Sequence, residues 1–109
     1  MSYKLIRDNI PTLAKEKGTP IKYAKIEDKD FLLDLLMAKL KEELGEFNEA
    51  LNEKDTKKTI EELADVMTVV IALGGVIDSK DSLNEAYGTK LVTNGGFEQH
   101  YILLDEVKE

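Results

Sequence analysis

Two pairs of acidic residues stand at a spacing that can build a metal site. Glu43 and Glu46 are three residues apart, and so are Glu62 and Asp65. Residues three or four apart share a helix face, so two helices can direct four such carboxylates to one point. An all-oxygen ligand set without histidine or cysteine suits Mg²⁺ or Mn²⁺. The spacing therefore predicts a metal-dependent enzyme that acts on phosphate.

Two long helices are predicted to position these carboxylates. The first is expected from about residue 30 to 53, with Asp28 or Asp30 as its N-cap, and the second from an N-cap at Thr56 to about Ile77. Apolar residues on the first helix recur at steps of three and four, which is one helical face: Leu36, Leu40, Leu44, Phe47 and Leu51.

The angles around the first helix separate its three acidic residues. At about 100° per residue, Glu43 lies roughly 60° from the centre of the apolar stripe, Glu46 roughly 120° and Glu42 roughly 160°. Glu43 is therefore expected to border the core, Glu46 to flank it and Glu42 to point to water. This geometry selects Glu43 and Glu46 as the working pair.

The second helix carries its acidic pair at the head of an apolar row. Glu62 and Asp65 are followed at helical spacing by Val69, Ala72 and Val76, so both carboxylates should face inward, where they are rare unless paired or bound to metal. From Val66 to Ile77 this helix is apolar on every side, which predicts burial all round and hence a homo-oligomer. Gly74 and Gly75 predict a close helix contact.

The remaining segments are shorter. A helix is expected from about 10 to 17, capped by Asp8 or Asn9 and stopped by Gly18; a strand from 20 to 26; and a helix from 82 to 93, capped by Ser79 or Asp81. The tail from 97 to 107 is predicted to be a strand or a docking arm. The expected fold class is an all-α bundle with short irregular or β-like ends.

Composition narrows the functional classes. The 109 residues are expected to form one domain, 1–109, that buries roughly two-thirds of its unfolded surface. A net charge of -7 argues against a nucleic-acid polymer as partner, whereas a bound divalent ion would reconcile this charge with a nucleotide substrate. The absence of cysteine is compatible with a cytoplasmic protein, and the longest apolar run is too short to span a bilayer.

The ordered acidic motifs resemble the MazG-like all-α nucleoside triphosphate pyrophosphohydrolase superfamily, including its phosphoribosyl-ATP pyrophosphohydrolase branch. Its hallmark, EExxE followed by ExxD, is matched by Glu42, Glu43, Glu46, Glu62 and Asp65. The stretch 4–11 is similar to the KLVRDKIP opening of a short subgroup, and Gly95-Gly96-Phe97 to its GGF ending.

The resemblance implies a helical bundle that works as a homodimer or homotetramer. It implies Mg²⁺, with Mn²⁺ as a substitute, held by the catalytic carboxylates Glu43, Glu46, Glu62 and Asp65. The reaction would cleave a nucleoside triphosphate between its α- and β-phosphates, as in house-cleaning of the nucleotide pool, with a pyrimidine or damaged deoxynucleotide expected as substrate. The resemblance also implies substrate contacts, which we assign to Lys4, Arg7, Lys90 and Asn94.

Three alternatives stay open or are set aside on the sequence. Phosphoribosyl-ATP pyrophosphohydrolase of histidine synthesis shares the metal site. A non-catalytic helical interaction module would keep the acidic residues as a relic. A di-iron carboxylate bundle usually needs Glu-x-x-His motifs, and this chain has none.

Overall fold

In a computed structural model, residues 3–104 are described, and within that range the fold is all-helical. The order is α1 (Ile10–Glu16), α2 (Lys29–Asn52), α3 (Thr56–Ile77) and α4 (Lys80–Asn94). The all-α prediction is confirmed. None of these helices combines the length and the apolar character that crossing a membrane requires.

Helices α2 and α3 form an antiparallel hairpin, which is the main packing unit. The Lys29 side chain at the start of α2 donates to the carbonyl of Ile77 at the end of α3, at 3.3 Å. Asp28 caps α2 by accepting from the backbone N–H of Asp30. The predicted N-cap of α3, Thr56, is wrong by one residue. The N-cap is Asp55, whose side chain accepts a hydrogen bond from the N–H of Lys58. Thr56 is instead the first helical residue.

The buried line of α2 is rotated from the predicted stripe. Its buried residues are Leu36, Glu43 and Ala50, seven apart, whereas Leu44 and Leu51 are 45% and 52% exposed. At about 100° per residue this line lies roughly 60° from the centre of the leucine stripe. Glu43 is therefore in the core rather than at its border. The reason is that α2 packs on one long partner, which covers only one side of the stripe.

The inward row of α3 is confirmed, but burial on all sides is not. Glu62, Asp65, Ala72 and Val76 are partly buried and Val69 is buried. On the other faces Met67 and Ile77 are each 60% exposed. Within the described chain, therefore, α3 keeps an apolar surface that no neighbouring element covers.

Helix α4 packs on the end of α3 at a point where α3 has no side chain. Ser79 caps α4, and a Cβ added to Gly74 would lie 2.8 Å from Leu83 Cδ2 and 3.0 Å from Leu83 Cβ. The predicted close contact is thus confirmed at Gly74, while the nearest atom at Gly75 is at an ordinary 3.8 Å. Gly95, with φ 77°, ends α4.

The predicted strand at 20–26 is wrong, because this segment is irregular. A strand needs a paired neighbour, and the segment lies between α1 and α2. Residues 3–9, here called the N-terminal arm, are also non-helical. The tail forms no strand over 97–104, and its remainder, with Val107, lies outside the described residues.

The single chain is more extended than its mass predicts. Its accessible surface is 9788 Å², against about 6,100 Å² for a folded monomer of this mass. Its radius of gyration is 18.4 Å, against about 13 Å for a compact domain of this length. The prediction of two-thirds burial was therefore wrong for one chain, because a helical hairpin has only one internal face.

Candidate metal centre

Three carboxylates meet where α2 and α3 pack. Glu43 comes from α2, and Glu62 and Asp65 come from one face of α3, three residues apart. One carboxylate oxygen from each lies within 4.8 Å of the others. The antiparallel pairing of the hairpin thus brings together residues that are about twenty positions apart in sequence.

Two oxygens of this cluster are buried without a hydrogen-bond donor. Glu43 is 6% exposed, and its Oε1 lies 3.5 Å from the ammonium of Lys39. Its Oε2 and the Oε2 of Glu62 have no partner in the described structure. A buried polar atom without a partner is destabilising by about 1–3 kcal/mol, so both oxygens are available to a cation.

The surroundings of Glu43 favour its protonated form. Burial is the main factor that raises the pKa of its carboxyl, followed by the negative charge of Glu46 and that of Asp65. The charge of Lys39 acts in the opposite direction and does not outweigh them. Negative charge is thus concentrated around a desolvated group, a setting that a divalent cation relieves.

The fourth predicted ligand, Glu46, lies beside the cluster rather than within it. Its side chain is exposed, and the three-carboxylate group does not include it. Glu46 nevertheless follows Glu43 by three residues on α2, so the two share a helix face, and its negative charge raises the pKa of Glu43. Three of the four residues are therefore gathered, and the fourth is adjacent.

Glu42 lies at the solvent-facing rim of the three-carboxylate cluster, in contact with two lysines. Its Oε1 is 3.4 Å from Lys4 Nζ and 3.6 Å from Lys39 Nζ. Burial raises the pKa of Glu42, but the charges and hydrogen bonds of Lys39 and Lys4 together exceed it, so the pKa is lowered. Glu42 is partly exposed, rather than pointing freely to water as its helical angle predicts, and it lies outside the cluster.

The N-terminal arm reaches the cluster through Arg7. Its Nη1 donates to Asp65 Oδ1 at 2.6 Å, and its Nη2 donates to Thr68 Oγ1 at 3.1 Å. Thr68 was not identified from the sequence, although it lies one turn after Asp65, on the same face. Of the predicted substrate contacts, Arg7 thus touches a cluster residue, and Lys4 touches the rim.

A cavity of about 650 Å³ opens next to the cluster. The arm, α1, α2 and α3 all line it, with Arg7, Lys39, Glu43 and Asp65 at its charged part. Much of the remaining lining is apolar, for example Leu36 and Val69. The site thus combines a charged edge with an apolar interior.

Lys90 and Asn94 lie elsewhere. They line a second cavity, of about 610 Å³, with Tyr87 and Phe97 at the end of α4. Among the described residues, none lines both cavities. The four predicted substrate contacts are therefore divided between two places.

Residues 31–87 match the family model of the MazG nucleotide pyrophosphohydrolase domain. This segment is more than half of the chain and includes the three clustered carboxylates and Glu46. The chain belongs to the MazG nucleotide pyrophosphohydrolase family. No curated protein and no solved structure matches it. The arm with Lys4 and Arg7, and the end of α4 with Lys90 and Asn94, lie outside the matched segment.

Proposed function

We propose that this protein is a Mg²⁺-dependent nucleoside triphosphate pyrophosphohydrolase, with Mn²⁺ as a substitute. The observation that carries the proposal is the group formed by Glu43, Glu62 and Asp65, whose oxygens lie within 4.8 Å of one another. Membership of the MazG family supports the reaction class. House-cleaning of the nucleotide pool, in the cytoplasm, is the role that we propose.

The donor chemistry fits a hard divalent cation. All the candidate ligands are carboxylate oxygens, which Mg²⁺ and Mn²⁺ prefer, and two buried oxygens have no protein donor. Glu43, Glu62 and Asp65 would hold the ion, with Glu46 as the fourth ligand. When bound, the cation neutralises phosphate charge and makes water a better nucleophile.

The proposed reaction is hydrolysis at the α-phosphorus, and the side chains of this site accept the proton and bind the phosphates. A water oxygen attacks the α-phosphorus, the bond from that phosphorus to the α–β bridging oxygen breaks, and pyrophosphate leaves with a nucleoside monophosphate as the other product. A carboxylate that is not used as a ligand accepts the proton of the water. Arg7 and Lys4, both cations of the arm, would bind the phosphates.

The adjacent cavity supports a nucleoside triphosphate as substrate. Its volume of about 650 Å³ falls within the range of roughly 300–1,000 Å³ found for small-molecule sites. The apolar interior suits a base, while the charged edge suits the phosphates. A pyrimidine or damaged deoxynucleotide is the substrate that we expect.

A panel of canonical and modified nucleoside triphosphates, incubated with Mg²⁺, tests the proposal. We expect pyrophosphate as product and no turnover with EDTA. Release of orthophosphate instead would contradict cleavage between the α- and β-phosphates. No turnover of any nucleotide, phosphoribosyl-ATP included, would favour the interaction module.

Matched variants separate the site from general charge effects. Glu43→Gln and Asp65→Asn should each lower turnover by about 100-fold or more, because even residues that only support metal ligands commonly contribute 10–100-fold. Glu61→Gln removes the same charge from the exposed neighbour of Glu62 and should retain activity. Equal losses in all three variants would show that net charge, not ligation, is being measured.

A further inference from the structure

The guanidinium of Arg7 makes a contact that a bound cation would compete for. Its Nη1 lies 2.6 Å from Asp65 Oδ1, and the oxygens of Asp65, Glu43 and Glu62 lie within 4.8 Å of one another. Arg7 therefore supplies positive charge at the edge of the same group that would hold the metal. A second observation supports a ligand there, because Glu43 is 6% exposed and its Oε2 has no partner in the described structure.

The arm is attached at points that do not depend on the contact with Asp65. The ring of Tyr3 packs edge-on against the ring of Phe31, with centroids 5.8 Å apart. Lys4 lies 3.4 Å from Glu42, outside the cluster. Release of Asp65 would thus leave the arm in place.

The pair that must break is a weak one. The Arg7 side chain is 57% exposed and that of Asp65 is 36% exposed, and exposed ion pairs contribute little to stability. A divalent cation on Asp65 would repel the guanidinium and would itself satisfy the carboxylate. A phosphate bound to that cation would offer the guanidinium a new anionic partner, which arginine can bind through two nitrogens.

We propose that Arg7 is an exchange residue: it pairs with Asp65 when no metal is bound and moves to the substrate phosphate when the metal takes Asp65. This inference rests on the proposed function and deepens it, because it couples metal loading to phosphate binding. Arg7 acts first as a competitor of the metal and then as a positioning residue for the nucleotide. The two roles have opposite effects on two measurable affinities.

The experiment compares wild type with Arg7→Gln in two measurements. The first is the affinity for Mn²⁺ alone, by calorimetry or electron paramagnetic resonance, without nucleotide. Arg7→Gln should bind Mn²⁺ up to about fivefold more tightly, the scale of one exposed ion pair between a guanidinium and a carboxylate. The second is nucleotide turnover at saturating metal, where Arg7→Gln should raise KM several-fold. If Arg7 had only a structural role, Arg7→Gln would bind Mn²⁺ more weakly and would also have a higher KM for the nucleotide.

Two further variants serve as controls. Arg7→Lys keeps the charge and should stay near the wild-type affinity for Mn²⁺. Lys15→Gln removes one positive charge from an exposed position of α1 and should change neither measurement. Tighter Mn²⁺ binding by Lys15→Gln to the same extent would overturn the inference, because net charge would then explain the gain.

The outcomes distinguish this inference from the proposed function. If wild type binds Mn²⁺ and turns nucleotide over, but Arg7→Gln binds Mn²⁺ no more tightly, only the exchange is overturned. If neither protein binds Mn²⁺, the metal site and the exchange fail together. If Arg7→Gln binds Mn²⁺ more tightly but no nucleotide is turned over by either protein, the competition stands and the enzymatic function fails.

Discussion

Glu42 and Glu43 are neighbours in sequence whose carboxyl pKa values move in opposite directions. Burial and the nearby acids raise the pKa of Glu43. Burial also acts to raise the pKa of Glu42, but Lys39 and Lys4 lower it by more, so the net shift of the pKa is downward. The two residues thus differ in role because of a rotation of about 100° around α2, which directs one inward and the other to the rim.

The raised pKa of Glu43 predicts how stability depends on pH without metal. A carboxyl whose pKa is higher in the folded state contributes stability below its unfolded pKa, and this contribution is lost as pH rises through the folded pKa. Metal-free Glu43→Gln should therefore be more stable than wild type at pH 7. The two should converge below the ordinary glutamate value of 4.5. Urea unfolding of both proteins in EDTA, from pH 7 to below pH 4.5, measures this difference in the free energy of unfolding.

Glu42→Gln is the matched control with the opposite sign. Because the folded-state pKa of Glu42 is lowered, its contribution is present above the unfolded pKa and lost as pH falls through the folded one. Its replacement should leave stability at pH 7 unchanged or lower, and activity should largely remain. Turnover as impaired as that of Glu43→Gln would show that the rim and the cluster have been assigned wrongly.

At the scale of the helices, the contact between α3 and α4 depends on the missing side chain of Gly74. A methyl group there would meet the Cβ of Leu83 at 3.0 Å, an atom fixed by the backbone, so the helices would have to separate. Gly74→Ala should destabilise the protein by about 1–3 kcal/mol. Gly75→Ala meets only an ordinary contact and should gain up to about 1 kcal/mol from helix propensity. Thermal unfolding of the two variants compares them directly.

The start of α3 allows a second matched comparison. Asp55 makes the capping hydrogen bond to Lys58 N, at 3.1 Å, whereas Thr56 is already within the helix. Asp55→Ala should therefore lower the free energy of unfolding by about 1 kcal/mol, and Thr56→Ala should change it little. If Thr56→Ala were the more destabilised variant, Thr56 rather than Asp55 would be the N-cap.

The sequence predicted what depends on near neighbours. The extents of α2 and α3 and the inward row of α3 follow from helical spacing. The rotation of α2 does not, because it depends on which side of the leucine stripe finds a partner. The contact of Arg7 with Asp65 joins residues 58 positions apart, which no periodicity encodes. The strand predicted at 20–26 lacked the paired neighbour that a strand requires.

Apolar side chains of the α2–α3 hairpin remain exposed in a regular pattern. On α2, Met37, Leu44 and Leu51 are seven residues apart and 45%, 45% and 52% exposed. On α3, steps of three and four join Ile60, Leu63 and Met67, and the next two exposed apolar residues, Val70 and Ile71, lie three and four residues after Met67. Such stripes are typical of helices that pack on another partner.

The size of the exposed surface supports a second copy of the chain as that partner. The accessible surface exceeds the value expected for a compact monomer by about 3,700 Å². A standard interface removes only about 800 Å² from each partner, so the excess surface is large enough to form one. Two-fold symmetry is the commonest arrangement of identical subunits. We therefore expect a homodimer, or a homotetramer built from it, with the α2–α3 hairpins in contact.

Assembly then becomes part of stability, and this can be measured. Since association contributes to the folded state, the unfolding midpoint should rise with protein concentration. Met67→Glu places a charge on a side chain that is 60% exposed in one chain, so it should do little to an isolated hairpin but should dissociate an oligomer. Glu61→Gln, at an exposed polar position of α3, serves as the control. Sedimentation showing a stable, folded 12.3 kDa species at micromolar concentration would contradict the expected assembly.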